Sequence, residues 1–162
     1  MTSKSPDQQP RYRAVLQLLQ TADTIWNASR VFFEHWDLSP SQFNILNLLH
    51  LHPDGLSQSE LSRFLIMHRS NLTGLVDRLE QRSLVERQEV AGDRRAYRVV
   101  LTKAGDKLVR EILPDYYAGA ERLLADSPER RVGELTKELA RIAESATRAA
   151  AELATARQLV NA

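Results

Sequence analysis

SQSELSRFLIMHRSNLTGLVDRLEQRSLVERQEVAGDRRAYRVVLT, residues 57–102, is the stretch that decides the fold of this chain. Its first four residues, Ser57-Gln58-Ser59-Glu60, form an S-x-x-E capping box, which is typical of a helix N-terminus. A short helix should follow and break near Met67. The residues expected on its buried face are Leu61, Phe64 and Leu65.

A second helix is predicted over about residues 68–81, because apolar residues recur there at helical spacing. Its inward-facing residues are Leu72, Leu75, Val76 and Leu79. Polar residues remain near its N-terminal end, namely His68, Arg69, Ser70, Asn71 and Thr73. Such side chains contact base edges and phosphates when a helix enters the major groove of DNA. A solvated surface helix also begins with such residues, so this feature alone leaves both interpretations open.

Two short β-prone runs, 84–89 and 96–101, follow the second helix and predict a hairpin. Its tip, Ala91-Gly92-Asp93-Arg94-Arg95, carries two adjacent arginines. An ordinary hairpin has no need of this pair, whereas the negative potential of a narrow minor groove attracts arginine. We interpret Asp93 as a brace for a guanidinium or for the turn. Two helices followed by this hairpin predict a winged helix-turn-helix, a mainly α fold with a small β-wing.

The distribution of charge favours DNA as the partner. The whole chain carries a net charge of +1, but residues 63–98 contain eight Arg against five Asp and Glu, a local excess of +3. The forked guanidinium suits phosphates and guanine edges better than the point charge of lysine does. A solvated basic face is the alternative explanation of this excess.

The block Leu72-Thr73-Gly74-Leu75-Val76-Asp77-Arg78-Leu79-Glu80, followed by Leu84-Val85-Glu86-Arg87, Asp93-Arg94-Arg95 and Leu101-Thr102, resembles the MarR family of bacterial transcription regulators. The resemblance covers the whole chain. It implies that Asp93 and Arg95 occupy the D-x-R positions of the wing, with Arg94 at the variable tip position. It also implies DNA contacts for Arg69, Ser70, Asn71 and Thr73. Ser57 and Ser59 match a place where phosphate contact is possible, although capping is the preferred interpretation of Ser57.

Long helices are predicted on both sides of this core, which we assign to residues 37–102. After a disordered arm at 1–10, residues 11–36 should form one amphipathic helix that buries aromatic surface along much of its length. Its apolar stripe is Val15, Leu18, Leu19, Ala22, Ile25, Trp26, Ser29, Phe32, Phe33 and Trp36. A second capping box, Ser39-Pro40-Ser41-Gln42, starts a helix that ends at Pro53-Asp54-Gly55. Its apolar residues include Phe43, Leu46 and Leu49.

Residues 103–162 are predicted to form two further helices, the first beginning at Thr102 and the second at Ser127-Pro128. The apolar stripe of the first is Leu108, Ile112, Leu113, Tyr116, Ala120, Leu123 and Leu124. The second has a heptad seam, made of Val132, Leu135, Leu139, Ile142, Ala146, Ala149, Leu153, Ala156 and Val160. Packing within one chain would satisfy this seam. The resemblance instead implies that both termini form a two-fold dimer, with recognition helices roughly 34 Å apart on a pseudo-palindromic operator.

The resemblance also implies a small-molecule effector, phenolic or otherwise anionic and aromatic, in a crevice beside the dimerisation helices. Trp26 and Arg30, one helical turn apart, are suited to stack on and pair with such an anion. Core packing for Trp26 and a surface ion pair for Arg30 are the preferred alternatives. His50 should lie near the same crevice. His50 and His52 point to different helix faces, which argues against a metal site.

Other classes of function receive no support from the sequence. It contains no cysteine, which excludes disulfides and thiolate zinc sites, and it lacks the local motifs of nucleotide-binding, hydrolase or zinc-protease sites. We therefore predict no enzyme activity and no cofactor. The absence of a long apolar run predicts no membrane span and a cytoplasmic location. The main alternative function is a winged helix that binds protein rather than specific DNA, which the arginine-tipped wing argues against.

Overall fold

The structure is a computed structural model that describes residues 9–65, 69–90 and 93–160, without the side chains of residues 69, 90, 93–96 and 158–160. Its helices are α1 (Pro10–Glu34), α2 (Pro40–His50), α3 (Gln58–Phe64), α4 (Arg69–Gln81), α5 (Lys103–Leu123) and α6 (Glu129–Val160). Its strands are β1 (Leu56–Ser57), β2 (Val85–Val90) and β3 (Asp93–Leu101). This mostly helical arrangement with a small sheet confirms the predicted fold class. The chain divides into two compact units, one ending at Ile112 and the other beginning at Leu113.

Two capping boxes set the starts of the helices α2 and α3. Ser39 accepts a hydrogen bond from the backbone of Gln42, whose side chain accepts one in return from the backbone of Ser39. The same reciprocal pair joins Ser57 and Glu60 at the start of α3. Both boxes were predicted from the sequence, because each satisfies two backbone donors that a helix N-terminus leaves free. The predicted break near Met67 and most of the arm at 1–10 fall outside the described residues.

The core of the first unit is formed by one apolar face of each of its shorter helices together with the sheet. Phe33 of α1 stacks on Phe43 of α2 with ring centroids 4.5 Å apart. The other fully buried large side chains are Ile45, Leu46, Leu49, Leu61, Leu72, Leu79, Ile112, Val76, Val85 and Val99. The four predicted inward-facing residues of α4 are all buried.

The sheet is antiparallel, with the strand order β1-β3-β2. The hairpin of β2 and β3 was predicted, but the short strand β1, which pairs Leu56 with Val99, was not. Gly55 allows this close approach, because its φ is +72° and an added Cβ would lie 2.6 Å from the carbonyl oxygen of Val99. The register of β2 and β3 shifts between Glu89 and Val90, next to the turn.

Two expectations of burial are wrong for the single chain. Phe64 is 49% exposed, because α3 has only seven residues and its last turn reaches the surface, where the ring packs against His52. The helix α1 does not bury aromatic surface along much of its length. Phe33 is its only buried residue within Pro10–Glu34, whereas Trp26 is 43% exposed and is not a core residue of one chain. The helix also ends at Glu34, two residues before the predicted end.

The second unit contains the C-terminal part of α5 and the 32-residue helix α6. Of the predicted α5 stripe, Ile112 and Leu113 are buried, but Ala120, Leu123 and Leu124 are exposed. The turn before α6 closes with a 2.9 Å hydrogen bond from the backbone N–H of Ser127 to the carbonyl of Leu124. From Glu129 to Arg157, every residue of α6 except half-buried Val132 is exposed.

Candidate nucleic-acid interface

The hydroxyl of Ser57 is committed to the cap of α3. Its Oγ lies 3.2 Å from the backbone N–H that Glu60 donates, and both the N–H and the hydroxyl of Ser57 donate to Oε2 of Glu60 at 2.8 Å. The backbone N–H and then the hydroxyl of Ser57 lower the pKa of the Glu60 carboxyl. These contacts agree with the preferred interpretation of Ser57 as a cap. Ser59 lies exposed two residues later, and its contact with phosphate remains a prediction.

The helix α4 has one buried face and one polar face. Leu72 is fully buried, whereas Ser70, Asn71 and Thr73 are exposed near the N-terminal end, as a recognition helix requires. His68 lies outside the described residues, and the side chain of Arg69 is likewise not described. The part of the predicted reading surface that the structure does describe therefore faces solvent.

The predicted wing arginines lie at the start of β3. Asp93 is the first residue of this strand and pairs with Val90 across the turn, and Arg94 and Arg95 follow it along the strand. Their backbone therefore places them at the tip of the hairpin, as predicted. The side chains of Asp93, Arg94 and Arg95 lie outside the description, so the bracing role of Asp93 stays a prediction.

An ion-pair cluster that we did not predict joins the wing to α4. Arg87 of β2 donates to Oδ1 of Asp77 at 2.5 Å and to Oε2 of Glu80, and its backbone N–H donates to Oε1 of Glu80 at 3.1 Å. Partial burial opposes the charge on Arg87, but hydrogen bonds with Asp77 and Tyr97 and the charge of Glu80 outweigh burial and raise its pKa. The spacing of Asp77 and Glu80 places both carboxylates on one face of α4, which the sequence does show. The sequence does not show that Arg87 is the residue that binds them.

Several arginines of the basic segment, residues 63–98, contact other groups of the protein. Arg82 donates to the backbone carbonyls of Trp36 and Asp37, which follow the end of α1. Arg98 donates to the carbonyl of Gly55 at 2.5 Å, and the guanidinium of Arg63 lies 5.4 Å from the ring of Phe64. With Arg87, these residues account for four of the eight arginines in 63–98. Fewer of these arginines are therefore available to contact DNA than the count of eight suggests.

Residues 36–96 match the model of the MarR family. The chain is also 30% identical over 112 residues to the HTH-type transcriptional regulator PecS of Dickeya dadantii, and this region covers 68% of each chain. The chain belongs to the MarR family.

Solved structures agree with this assignment at the level of the fold. The MarR-family regulator AbsC of Streptomyces coelicolor superposes with a TM-score of 0.77 at 24% identity, over 91% of this chain and 98% of AbsC. MepR of Staphylococcus aureus, in a complex with DNA, superposes with a TM-score of 0.73 at 22% identity, over 83% of this chain and 96% of MepR. As a member of the MarR family, this chain is a transcription regulator and not an enzyme.

The three residues proposed for effector binding have different surroundings in this MarR-family chain. Arg30 lines an open cavity of about 300 Å³ together with Glu34, Asp37, Leu38 and Pro40. Trp26 and His50 are not among the residues that line this cavity. Nδ1 of His50 instead donates a 2.8 Å hydrogen bond to Asp106. His52 points elsewhere, to the carbonyl of Leu48, and the described part of the chain holds no cluster of three metal-ligating side chains.

The heptad seam of α6 is open in the single MarR-family chain. Leu135, Leu139, Ile142 and Leu153 are 45%, 40%, 40% and 68% exposed, and Ala146 and Ala149 are exposed between them. Val132 is half-buried, whereas the side chain of Val160 is not described.

Along the described ranges, no helix combines the length and apolar character needed to cross a membrane.

Proposed function

We propose that this MarR-family protein is a homodimeric repressor that binds a pseudo-palindromic operator and releases it when a small ligand binds. The observation that carries the proposal is the two-faced character of α4. Leu72, Leu75, Val76 and Leu79 anchor the helix in the core. The exposed polar residues at its N-terminal end then enter a major groove, while the wing arginines reach the flanking minor groove.

Exposed apolar surface supports the dimer. Four large apolar side chains of the α6 seam and several of α1, including Leu19 and Trp26, are exposed in one chain. Exposed apolar stripes on helices mark interaction sites on soluble proteins. In the proposed assembly a second copy covers both helices, and two-fold symmetry sets the recognition helices roughly one turn of DNA apart.

Cavity size supports a small effector, for which Arg30 is the one cationic residue among the described residues that line the cavity, beside the carboxylates of Glu34 and Asp37. The cavity beside Arg30 has a volume of about 300 Å³, at the lower end of the range for sites that bind small molecules. Arg30 would pair with an anionic effector, while Trp26 and His50 would contribute only if the dimer brings them to the same crevice. The effector then acts by binding more tightly to a dimer whose recognition helices are wrongly spaced for DNA.

The first test is a fluorescence-anisotropy titration of the full chain against its own upstream intergenic DNA and a scrambled duplex of equal length, at several salt concentrations. We expect tight, salt-dependent binding of one dimer per site and a clear preference for the upstream DNA. Equal and weak binding to the two duplexes, extended to tiled fragments of the surrounding locus, would overturn the proposal and favour a winged helix that binds protein.

A further inference from the structure

A closed ring of side-chain contacts connects α3, α4 and the wing behind the proposed DNA-reading surface. Gln58, the first residue of α3, donates from Nε2 to Oγ1 of Thr73 on α4. Its other amide atom, Oε1, accepts a 2.8 Å hydrogen bond from the hydroxyl of Tyr97 on β3. Both ends of one amide therefore join two residues, Thr73 and Tyr97, that are 24 positions apart in the sequence.

The ring returns to α4 through Arg87. The guanidinium carbon of Arg87 lies 5.3 Å from the centre of the Tyr97 ring, a cation–π contact between diagonal neighbours on one face of the hairpin. Arg87 then binds Asp77, which lies one helical turn after Thr73. The recognition helix is thus held at two successive turns, by α3 at Thr73 and by the wing at Asp77.

We propose that Gln58, Tyr97 and Arg87 are positioning residues, which fix the orientation of α4 relative to the wing so that Asn71 and Arg95 meet their grooves together. This inference rests on the proposed DNA-binding function. The three side chains are half-buried, and their polar groups are satisfied within the protein. Their contribution to binding is therefore geometric: loss of a link lets the two reading elements move independently and weakens recognition that needs both.

The Tyr97→Phe variant tests the hydrogen bond from Tyr97 to Gln58. It removes the hydroxyl, which donates to Gln58 and also hydrogen-bonds with Arg87, and it retains the ring that Arg87 covers. We expect the preference for operator over scrambled DNA to fall about threefold or more, because at least one hydrogen bond is lost. The salt dependence of binding to scrambled DNA should not change, because no charge is lost. Tyr117→Phe, at a tyrosine that is 60% exposed on α5, is the matched control and should retain the full preference.

A double-mutant cycle separates positioning from two unrelated local effects. Gln58→Ala breaks both amide links, so Tyr97→Phe should cost less in the Gln58→Ala background than in the wild type, because the link from Tyr97 to Gln58 is already lost. If the fold-loss of preference in the double variant equalled the product of the two single losses, the two residues would act independently. That result would contradict the proposed ring of contacts. An unchanged preference in Tyr97→Phe would do the same.

Hydrogen exchange tests the ring without DNA, so it decides the inference even if the proposed function fails. In Tyr97→Phe and Gln58→Ala, backbone amides of α4 and of the β2–β3 hairpin should exchange faster, whereas those of α2 should not. Unchanged exchange in both variants would overturn the positioning role. Wild-type protein that shows no preference for any fragment of its locus would overturn the DNA-binding function instead, and it would leave this exchange result valid.

Discussion

The imidazole of His50, at the end of α2, donates from Nδ1 to Oδ1 of Asp106, in the first turn of α5, at 2.8 Å. The carboxylate accepts a second hydrogen bond from Nε of Arg110, also at 2.8 Å. Because a carboxylate only accepts, the proton of His50 lies on Nδ1. His50 is thus a link between two helices of the first unit, and an effector that used its Nδ1 would have to break this link.

Removal of the Asp106 carboxylate should make the protein less stable in a pH-dependent manner. Hydrogen bonds from Arg110 and then His50 lower the pKa of Asp106 below its ordinary value of 3.8. A lowered pKa in the folded state means that the ionised group stabilises the fold above about pH 4, and that this contribution is lost as the pH falls through the lowered pKa. Urea unfolding of Asp106→Asn should therefore show a deficit at pH 7 that shrinks under acid conditions.

Asp115→Asn, at an exposed position of the same helix, is the matched control and should follow the wild-type curve at each pH. An Asp106→Asn deficit that stayed constant from pH 7 to well below the ordinary pKa of aspartate would show that the link does not depend on the charge of the carboxylate.

Ser57→Ala should destabilise the protein without changing its contacts with DNA. The variant removes a helix cap, which typically costs about 1 kcal/mol in the free energy of unfolding. Ser39→Ala removes the equivalent cap of α2 and should cost a similar amount. Salt titrations of DNA binding distinguish the two roles of Ser57. A flatter salt dependence in Ser57→Ala, absent from Ser39→Ala, would revive the phosphate contact.

Gly105→Ala should be strongly destabilising, because α5 approaches Leu84, the residue before β2, too closely for a side chain. An added Cβ would lie 2.0 Å from the carbonyl oxygen of Leu84, which forces the helix outwards at a cost of about 1–3 kcal/mol. Gly74→Ala is the matched control, because nothing lies within 4 Å of its Cβ position and alanine favours a helix by about 1 kcal/mol. Urea unfolding at one protein concentration should give shifts of opposite sign. Two shifts of the same sign would contradict the close approach.

The sequence predicted the elements of the fold well where local chemistry sets them. Both capping boxes follow from four adjacent residues each, and the buried face of α4 follows from helical spacing alone. Contacts between distant segments were missed. The strand β1 has only two residues and exists because β3 lies beside it, and the link from Arg82 to Trp36 joins residues 46 positions apart.

The same reason explains why the candidate site was predicted only in outline. Residue types near the start of α4 indicated a DNA-reading surface, and the exposed Asn71 agrees with it. The sequence could not show that Arg87 and Arg98 are occupied within the fold, because a count of arginines carries no information on their partners. Nor could it show that Trp26 is exposed, since helical spacing gives the apolar face but not what covers it.

Arg95→Ala and Asn71→Ala should weaken DNA binding in different ways. Loss of the wing arginine removes a charge, so binding to operator and scrambled DNA should both weaken and the salt slope should fall by about 1 per lost phosphate contact. Loss of Asn71 removes a neutral group at the proposed major-groove surface and should reduce mainly the preference among sequences, by about 1–3 kcal/mol. Anisotropy titrations measure both. Unchanged affinity and salt slope in Arg95→Ala at every sequence would show that the wing assignment is wrong.

Leu139→Glu should convert the dimer to monomers. Leu139 lies in the middle of the α6 seam and is 40% exposed in one chain, so the proposed dimer would bury its remaining surface twice, once in each subunit. A buried glutamate without a partner costs about 3 kcal/mol or more, so the two in the dimer raise its dissociation constant by about 10,000-fold or more. Sedimentation velocity across a range of protein concentrations measures this change.

Ala151→Glu introduces the same charge on the opposite side of α6 and should leave the dimer intact. Because a monomer has only one recognition helix, Leu139→Glu should also lose its preference for the operator. A Leu139→Glu protein that remained dimeric at nanomolar concentration would exclude this seam as the dimer interface.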